Sequence, residues 1–153
     1  MLPGPDGVLL IDDQYQQMAE KVGAKVNELT GEDVAVWFEQ ANVLHPGDLF
    51  FNERFPFIDL GSGGDVDGYI ENVETLISKI NDETVIIPGH GPKATRADYQ
   101  RFVNMIKATK AEVDAMRNQG MALEEALGNG LSEKWSPWAW NFITEERWIK
   151  TLY

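Results

Sequence analysis

The stretch NVLHPGDLFF at residues 42–51 is an apolar run that a Pro-Gly pair interrupts just before Asp48. The stretch IIPGHG at residues 86–91 has the same arrangement, with His90 behind its Pro-Gly pair. Short apolar runs bounded by turn residues predict strands. Ligands and metals collect beyond the carboxyl ends of strands in α/β sheets, and Asp and His are both zinc ligands. Asp48 and His90 are therefore candidate metal ligands.

The hydrophobic pattern on either side of these stretches predicts alternating strands and helices. The predicted strands cover residues 7–12, 34–38, 43–45 and 84–87. Those at 7–12 and 84–87 are expected to be buried, and residues 39–42 are expected to form a hairpin turn. The predicted helices run from a cap at Asp13 to Leu29, from a cap at Asp65 or Asp67 to Ile80, and from a cap at Thr95 to Met116, with a short helix around residues 123–127. This order predicts an α/β fold. The absence of a linker pattern predicts one domain over residues 1–153.

The composition limits the classes of partner. The chain has 25 acidic and 13 basic residues, a net charge of -12, which argues against nucleic acid and anionic membranes as partners. There is no cysteine for disulfide or thiol chemistry. The sequence shows no signal-peptide pattern and no apolar run of about 18 residues, so we expect a soluble protein. A cytoplasmic location is the default, and a mature periplasmic protein is the alternative.

Most of the chain resembles a known family. From about Glu32 to Tyr153 the sequence is similar to the C-terminal half of metallo-β-lactamase-fold hydrolases, and residues 7–14 resemble that family's first strand and the acidic turn after it. The matching stretches are residues 34–38, 42–52, 55–59, 63–69 and 86–91. The resemblance implies a partial metallo-β-lactamase-like αβ/βα sandwich, with a mixed sheet, flanking helices and zinc between its halves.

The resemblance also implies roles for individual residues. Asp48 matches the aspartate that bridges the two metal ions of the family, and His90 matches the last histidine ligand. Asp12, at the end of the first predicted strand, and Asp59, in the matching 55–59 stretch, are expected to support the site from behind the ligands. Asp59 also flanks a glycine-rich loop with Asp65 and Asp67, where capping is favoured over binding of Ca²⁺ or Mg²⁺.

The family's His-x-His-x-Asp-His motif is missing, as if an internal segment had been lost near residues 29–31. A hydrolytic zinc needs about three protein ligands and an open position. Asp48 and His90 supply two. His45 is the only other histidine of the chain, and strand alternation places it on the opposite face from Asp48.

Three functions stay open. The first is a shortened protein of the zinc-hydrolase lineage that has lost dinuclear-zinc hydrolysis, and ligand counting favours it. The second is a zinc-dependent hydrolase of a small molecule with an ester, thioester or lactam-type bond, in which Asp48 and His90 are completed by ligands from elsewhere. The third is that the working protein has a segment which this sequence lacks. Loss of half a sandwich would uncover an apolar sheet face, which predicts a homo-oligomer.

Overall fold

The computed structural model describes residues 35–153 in full and, before them, the backbone of residues 2–4 and 7–9. The chain divides into two compact units, residues 1–34 and 35–153. In the first unit, β1 (Leu2–Gly4) pairs antiparallel with β2 (Gly7–Leu9), which lies within the strand predicted at residues 7–12. Asp12 and the helix predicted after Asp13 lie outside the described residues. One domain over residues 1–153 stays a prediction.

The second unit contains a three-stranded mixed sheet. Its strands are β3 (Val36–Phe38), β4 (Val43–His45) and β5 (Val85–Ile86), with β4 in the centre. β3 is antiparallel to β4 across a short turn that Asn42 ends in the left-handed conformation, with φ 52°. β5 is parallel to β4. The predicted strands and hairpin turn of this region are confirmed.

The two faces of this sheet differ in burial. Leu44 and Ile86 point into the core and are almost fully buried. Val85 and Ile87 are exposed, Ile87 by 50%. The prediction that residues 84–87 form a strand buried along its length is therefore wrong for these two side chains. Alternation turns them to the opposite face of the sheet, and a run of apolar residues does not reveal whether that face is covered.

In residues 35–153 four α-helices accompany the sheet: α1 (Val66–Lys79), α2 (Arg96–Asn118), α3 (Leu123–Asn129) and α4 (Glu145–Leu152). The caps of α1 and α2 agree with the predictions. Asp65 accepts a hydrogen bond from the Gly68 N–H, and Thr95 forms a capping box with Asp98. Helix α4 was not predicted, although Thr144 caps it.

The core lies between the sheet, α1 and α2. Residues 131–153, which we call the tail, close one side of it. Its largest buried side chains are mostly aromatic: Phe50, Phe51, Phe55, Tyr99, Phe102 and Trp148. The second unit is thus mixed α/β with flanking helices, which confirms the coarse prediction. No helix among the described residues is both long and apolar enough to cross a membrane.

Candidate metal site

Asp48 and His90 follow neighbouring parallel strands. Asp48 comes three residues after β4 and His90 four residues after β5, so both lie at the same edge of the sheet. Backbone pairing continues beyond the strands: the Gly89 N–H donates to the Gly47 carbonyl at 3.0 Å, and the Asn52 N–H donates to the His90 carbonyl at 2.8 Å. We call residues 46–52 and 88–92 the ligand turns.

The ligand turns approach each other closely at Gly89. A Cβ atom at this position would lie 2.6 Å from the Gly47 carbonyl oxygen and 2.7 Å from Asp48 Oδ1. Both distances are far inside van der Waals contact, so only glycine fits here without a shift of the backbone. The absence of a side chain at residue 89 allows the two candidate ligands to come together.

The His90 Nε2 and Asp48 Oδ1 atoms lie 3.4 Å apart, and the side chains are 42% and 66% exposed. A charge-assisted hydrogen bond between such atoms is typically about 2.7–2.9 Å long. Two ligand atoms at about 2.0–2.2 Å from one tetrahedral zinc lie about 3.3–3.6 Å from each other. The pair therefore has the spacing of two corners of a zinc tetrahedron, and its exposure leaves the other corners accessible to solvent.

Neighbouring aromatic side chains hold both residues. The Tyr69 hydroxyl, from α1, donates to the Asp48 carbonyl oxygen at 2.7 Å. The buried Phe51 ring stacks on the His90 imidazole, with ring centroids 4.4 Å apart and planes 12° apart. The exposed polar ends of the pair thus project from a rigid apolar base.

Asn52 fixes the second ligand turn and was missed by the sequence reasoning. It is 3% exposed, and besides its backbone bond to His90 its Nδ2 donates to the Pro92 carbonyl at 3.1 Å. Its Oδ1 is buried without a hydrogen-bond partner among the described residues. Gly91 crosses directly over Asn52 with φ +99°, and a Cβ there would lie 2.4 Å from the Asn52 carbonyl oxygen. A single Asn after an aromatic run carries no sequence signal for this role.

Asp59 caps the short turn Leu60–Ser62. Its carboxylate accepts hydrogen bonds from the N–H groups of Gly61 and Ser62 at 3.1 and 3.2 Å, and from the Ser62 hydroxyl at 2.7 Å. The Ser62 hydroxyl, helped by these N–H groups, holds the pKa of the Asp59 carboxyl below its usual value. These bonds lie within its own turn, as the capping interpretation expects. Support of the metal ligands by Asp59 stays a prediction.

The described residues do not complete a ligand set. No group of three or more His, Asp or Glu side chains in residues 35–153 is arranged to hold a metal ion. His45 Nδ1 lies 2.7 Å from the Ile87 carbonyl oxygen, an interaction that ties β4 to the chain beyond β5. Asp48 and His90 could supply two of the ligands of one metal ion. Activation of a water for hydrolysis needs a further protein ligand.

Known proteins add no assignment to this geometry. The chain matches no protein-family model and no curated protein. Function has to be argued from the two ligand turns and from the residues packed around them.

Proposed function

We propose that this chain is a shortened protein of the metallo-β-lactamase-fold lineage that binds zinc through Asp48 and His90 and has lost dinuclear-zinc hydrolysis. The observation that carries the proposal is the 3.4 Å separation of Asp48 Oδ1 and His90 Nε2 in two paired turns. It is supported by Gly89, whose lack of a side chain brings the two turns together. The partial αβ/βα sandwich belongs to the same proposal.

The chemistry follows from the donor atoms. Zinc, when bound, supplies Lewis acidity and lowers the pKa of a bound water. Asp48 offers a carboxylate oxygen, and His90 offers Nε2 as a neutral imidazole, so protons compete with the metal for both donors. Two ligands give weaker binding than the closed four-ligand sites of structural zinc. The expected zinc affinity is therefore modest and falls as the pH is lowered.

A homo-oligomer is part of this proposal. Phe38, Val85 and Ile87 are large apolar side chains exposed by 41%, 36% and 50% on the sheet strands or directly after them. Exposed apolar patches of this kind mark association sites. Two copies of the Asp48–His90 pair at a two-fold axis would supply four ligands, a closed site suited to structure rather than catalysis. Light scattering over a range of concentrations tests this, and a monomeric mass throughout contradicts it.

Zinc binding is tested with the two histidines of the chain as a matched pair. Protein freed of metal on a chelating resin is titrated with zinc, and bound metal is counted by elemental mass spectrometry. His90→Ala and Asp48→Asn should each lower the zinc affinity at least about tenfold, as loss of one of few ligands does. His45→Ala removes an imidazole that is not a proposed ligand and should bind zinc as the original chain does. Equal binding by His90→Ala and His45→Ala would refute the assignment.

The alternative, a zinc-dependent hydrolase, is supported by the solvent exposure of both donors, which leaves room for a substrate and a further ligand. The zinc-loaded protein is assayed with ester, thioester and lactam substrates. Turnover that disappears in His90→Ala and persists in His45→Ala would favour this alternative. No turnover by a zinc-loaded protein would leave zinc binding without hydrolysis as the function.

A further inference from the structure

An aromatic cluster continues the candidate metal site on one side. The ring centroids of His90 and Trp140 are 5.9 Å apart, and those of Trp140 and Phe142 are 5.5 Å apart. Trp140 is held in place by a hydrogen bond from its Nε1 to the Phe55 carbonyl at 2.9 Å. Phe142 is 49% exposed. We call Trp140 and Phe142 the aromatic ledge.

Two arginines lie on this ledge. The Arg54 guanidinium carbon is 5.2 Å from the centre of the Trp140 ring. The Arg147 guanidinium carbon is 4.3 Å from the centre of the Phe142 ring and 5.4 Å from that of Phe57. A cation over an aromatic face is attracted by the ring quadrupole, so both guanidinium groups are held in place.

These two arginines differ from the others in the described part of the chain. Arg96, Arg101 and Arg117 each have a carboxylate oxygen within 3.8 Å. Arg54 and Arg147 have no carboxylate at ion-pair distance among residues 35–153, although acidic residues outnumber basic ones in this chain by 25 to 13. In so acidic a protein, an arginine that no carboxylate of residues 35–153 approaches is available to an anion from outside.

Arg147 and Arg54 also differ from each other. Arg147 donates to the Phe142 carbonyl at 3.0 Å and so fixes the ledge. The Arg54 side chain makes no hydrogen bond to any described residue. A guanidinium carries five N–H donors in a planar fork, and this fork matches the two oxygens of a carboxylate or phosphate. Arg54 is therefore a fork of donors held near Trp140 that no side chain or carbonyl of residues 35–153 occupies.

We propose that Arg54 and the aromatic ledge form a binding subsite for a small molecule that carries a carboxylate or phosphate on a flat apolar body. The anion would bind the Arg54 fork while the apolar body lies on the exposed Phe142 ring. The subsite rests on the proposed function in one respect. Because Trp140 lies between His90 and Phe142, a molecule bound at the subsite would lie beside the Asp48–His90 pair. Binding to the subsite itself requires no metal.

The test uses metal-free protein, prepared on a chelating resin because soluble chelators are themselves anions. Phenyl phosphate and benzoate are the anionic probes, and benzamide is the neutral probe of similar shape. Binding is followed by NMR titration of the Trp Nε1–H and Arg Nε–H signals. We expect the anionic probes to bind at least about tenfold more tightly than benzamide, as a charge-assisted hydrogen bond allows. The stronger of the two identifies the anion as phosphate or carboxylate.

Arg54→Gln keeps a polar side chain without the charge, and Arg54→Lys keeps the charge without the fork. We expect Arg54→Gln to lose at least about tenfold in affinity for the anionic probe and Arg54→Lys to lose less. Lys79→Gln is the matched control, because Lys79, the last residue of α1, also has no ion pair among the described residues. It should bind the probe within about twofold of the original chain. Thermal unfolding verifies that each variant is folded.

Three results would overturn the subsite: no binding of either anion at millimolar concentration, equal binding of benzamide, or equal losses in Arg54→Gln and Lys79→Gln. Zinc binding is measured separately on Arg54→Gln and should be unchanged. Anion binding that survives in His90→Ala, together with unaltered zinc binding in that variant, would remove the proposed metal function and leave the subsite in place.

Discussion

The ligand turns and the junction between α2 and the tail both join segments that are distant in the sequence, but they do so with different groups. In the ligand turns the backbone groups are paired and the polar side chains of Asp48 and His90 face solvent. At the tail junction the side chains themselves make the bonds, and the bond between Thr109 and Trp148 is fully buried. Polar groups satisfied in the interior stabilise a fold, whereas polar groups exposed on a rigid base can be reached by a ligand.

The tail junction has two polar centres on α2. Thr109 accepts a hydrogen bond from Nε1 of the fully buried Trp148 at 3.0 Å. Glu112 accepts bonds from the Ser132 N–H, the Ser132 hydroxyl and Trp135 Nε1, each at 2.9 Å. We therefore expect substitutions here to change the free energy of unfolding, and substitutions in the ligand turns to change metal binding.

The largest effect on stability is expected from Trp148→Ala. Trp148 stacks on Phe55 with centroids 5.5 Å apart. Its removal leaves a cavity and takes one hydrogen bond from the Thr109 hydroxyl, which still donates to the Met105 carbonyl. The free energy of unfolding should fall by about 3–5 kcal/mol. Urea denaturation measures it, with exposed Trp37→Ala as the matched control. A loss below about 1 kcal/mol would show that the tail adds little to the core.

Gly89→Ala should lower both the free energy of unfolding and the zinc affinity. Its Cβ would meet the Gly47 carbonyl and Asp48 Oδ1, so the ligand turns must separate. We expect a loss of about 1–3 kcal/mol in stability, as for overpacking, and at least a tenfold loss in zinc affinity. Gly128→Ala is the control, because no atom lies within 4 Å of its Cβ and the position is helical. That variant should be equally or more stable and bind zinc normally.

Glu112→Gln tests the tail junction through its pH dependence. Burial raises the pKa of the Glu112 carboxyl, but hydrogen bonds from Ser132 and Trp135 and the charge of Lys134 outweigh it, so the pKa lies below its usual value. Because the pKa is lower in the folded state, the ionised carboxylate stabilises the fold at pH values above the unfolded-state pKa of about 4.3. This contribution is lost as the pH falls through the folded-state pKa.

We expect Glu112→Gln to cost about 1–2 kcal/mol at pH 7. The difference from the original chain should shrink as the pH is lowered below about 4.3. Urea denaturation between pH 3 and pH 7 follows it, with exposed Glu124→Gln as the control. A difference that does not change with pH would mean that the Glu112 charge contributes nothing to the junction.

The smallest effect on stability is expected from His90→Ala. The side chain is 42% exposed, so its loss without metal should change the free energy of unfolding by less than about 1 kcal/mol. Addition of zinc should then raise the unfolding temperature of the original chain and of His45→Ala, but not that of His90→Ala. A large destabilisation of metal-free His90→Ala would assign His90 a packing role.

The sequence predicted the elements of the second unit that local patterns define. Thr95 was identified as a cap, and Asp65 as one of two candidates beside Asp67, because capping depends on a few neighbouring residues. The sequence placed Asp48 and His90 after two strand ends, and the parallel pairing of β4 and β5 in the structure brings them to one sheet edge. The exposure of Ile87 could not be predicted, because it depends on what covers the second face of the sheet. Arg54 meets Trp140 only through tertiary packing, across 86 residues of chain.

Helix α4 was not predicted, although its start is visible in the sequence. Thr144 followed by Glu145 and Glu146 is a helix start, and the pattern was available. Asn52 could not have been found at all, because its importance comes from Gly91 lying directly over it in space.

The hydrogen bonds between the two ligand turns also make the opening of the candidate site measurable by amide hydrogen exchange. The amide protons of Gly89 and Asn52 are bonded across the turns, directly behind two side chains that water reaches freely. They can exchange with solvent deuterium only when β4 and β5 separate at this end. Their exchange rates therefore record how often the candidate site comes apart, and a metal ion that holds Asp48 and His90 together should slow both amides by the same factor.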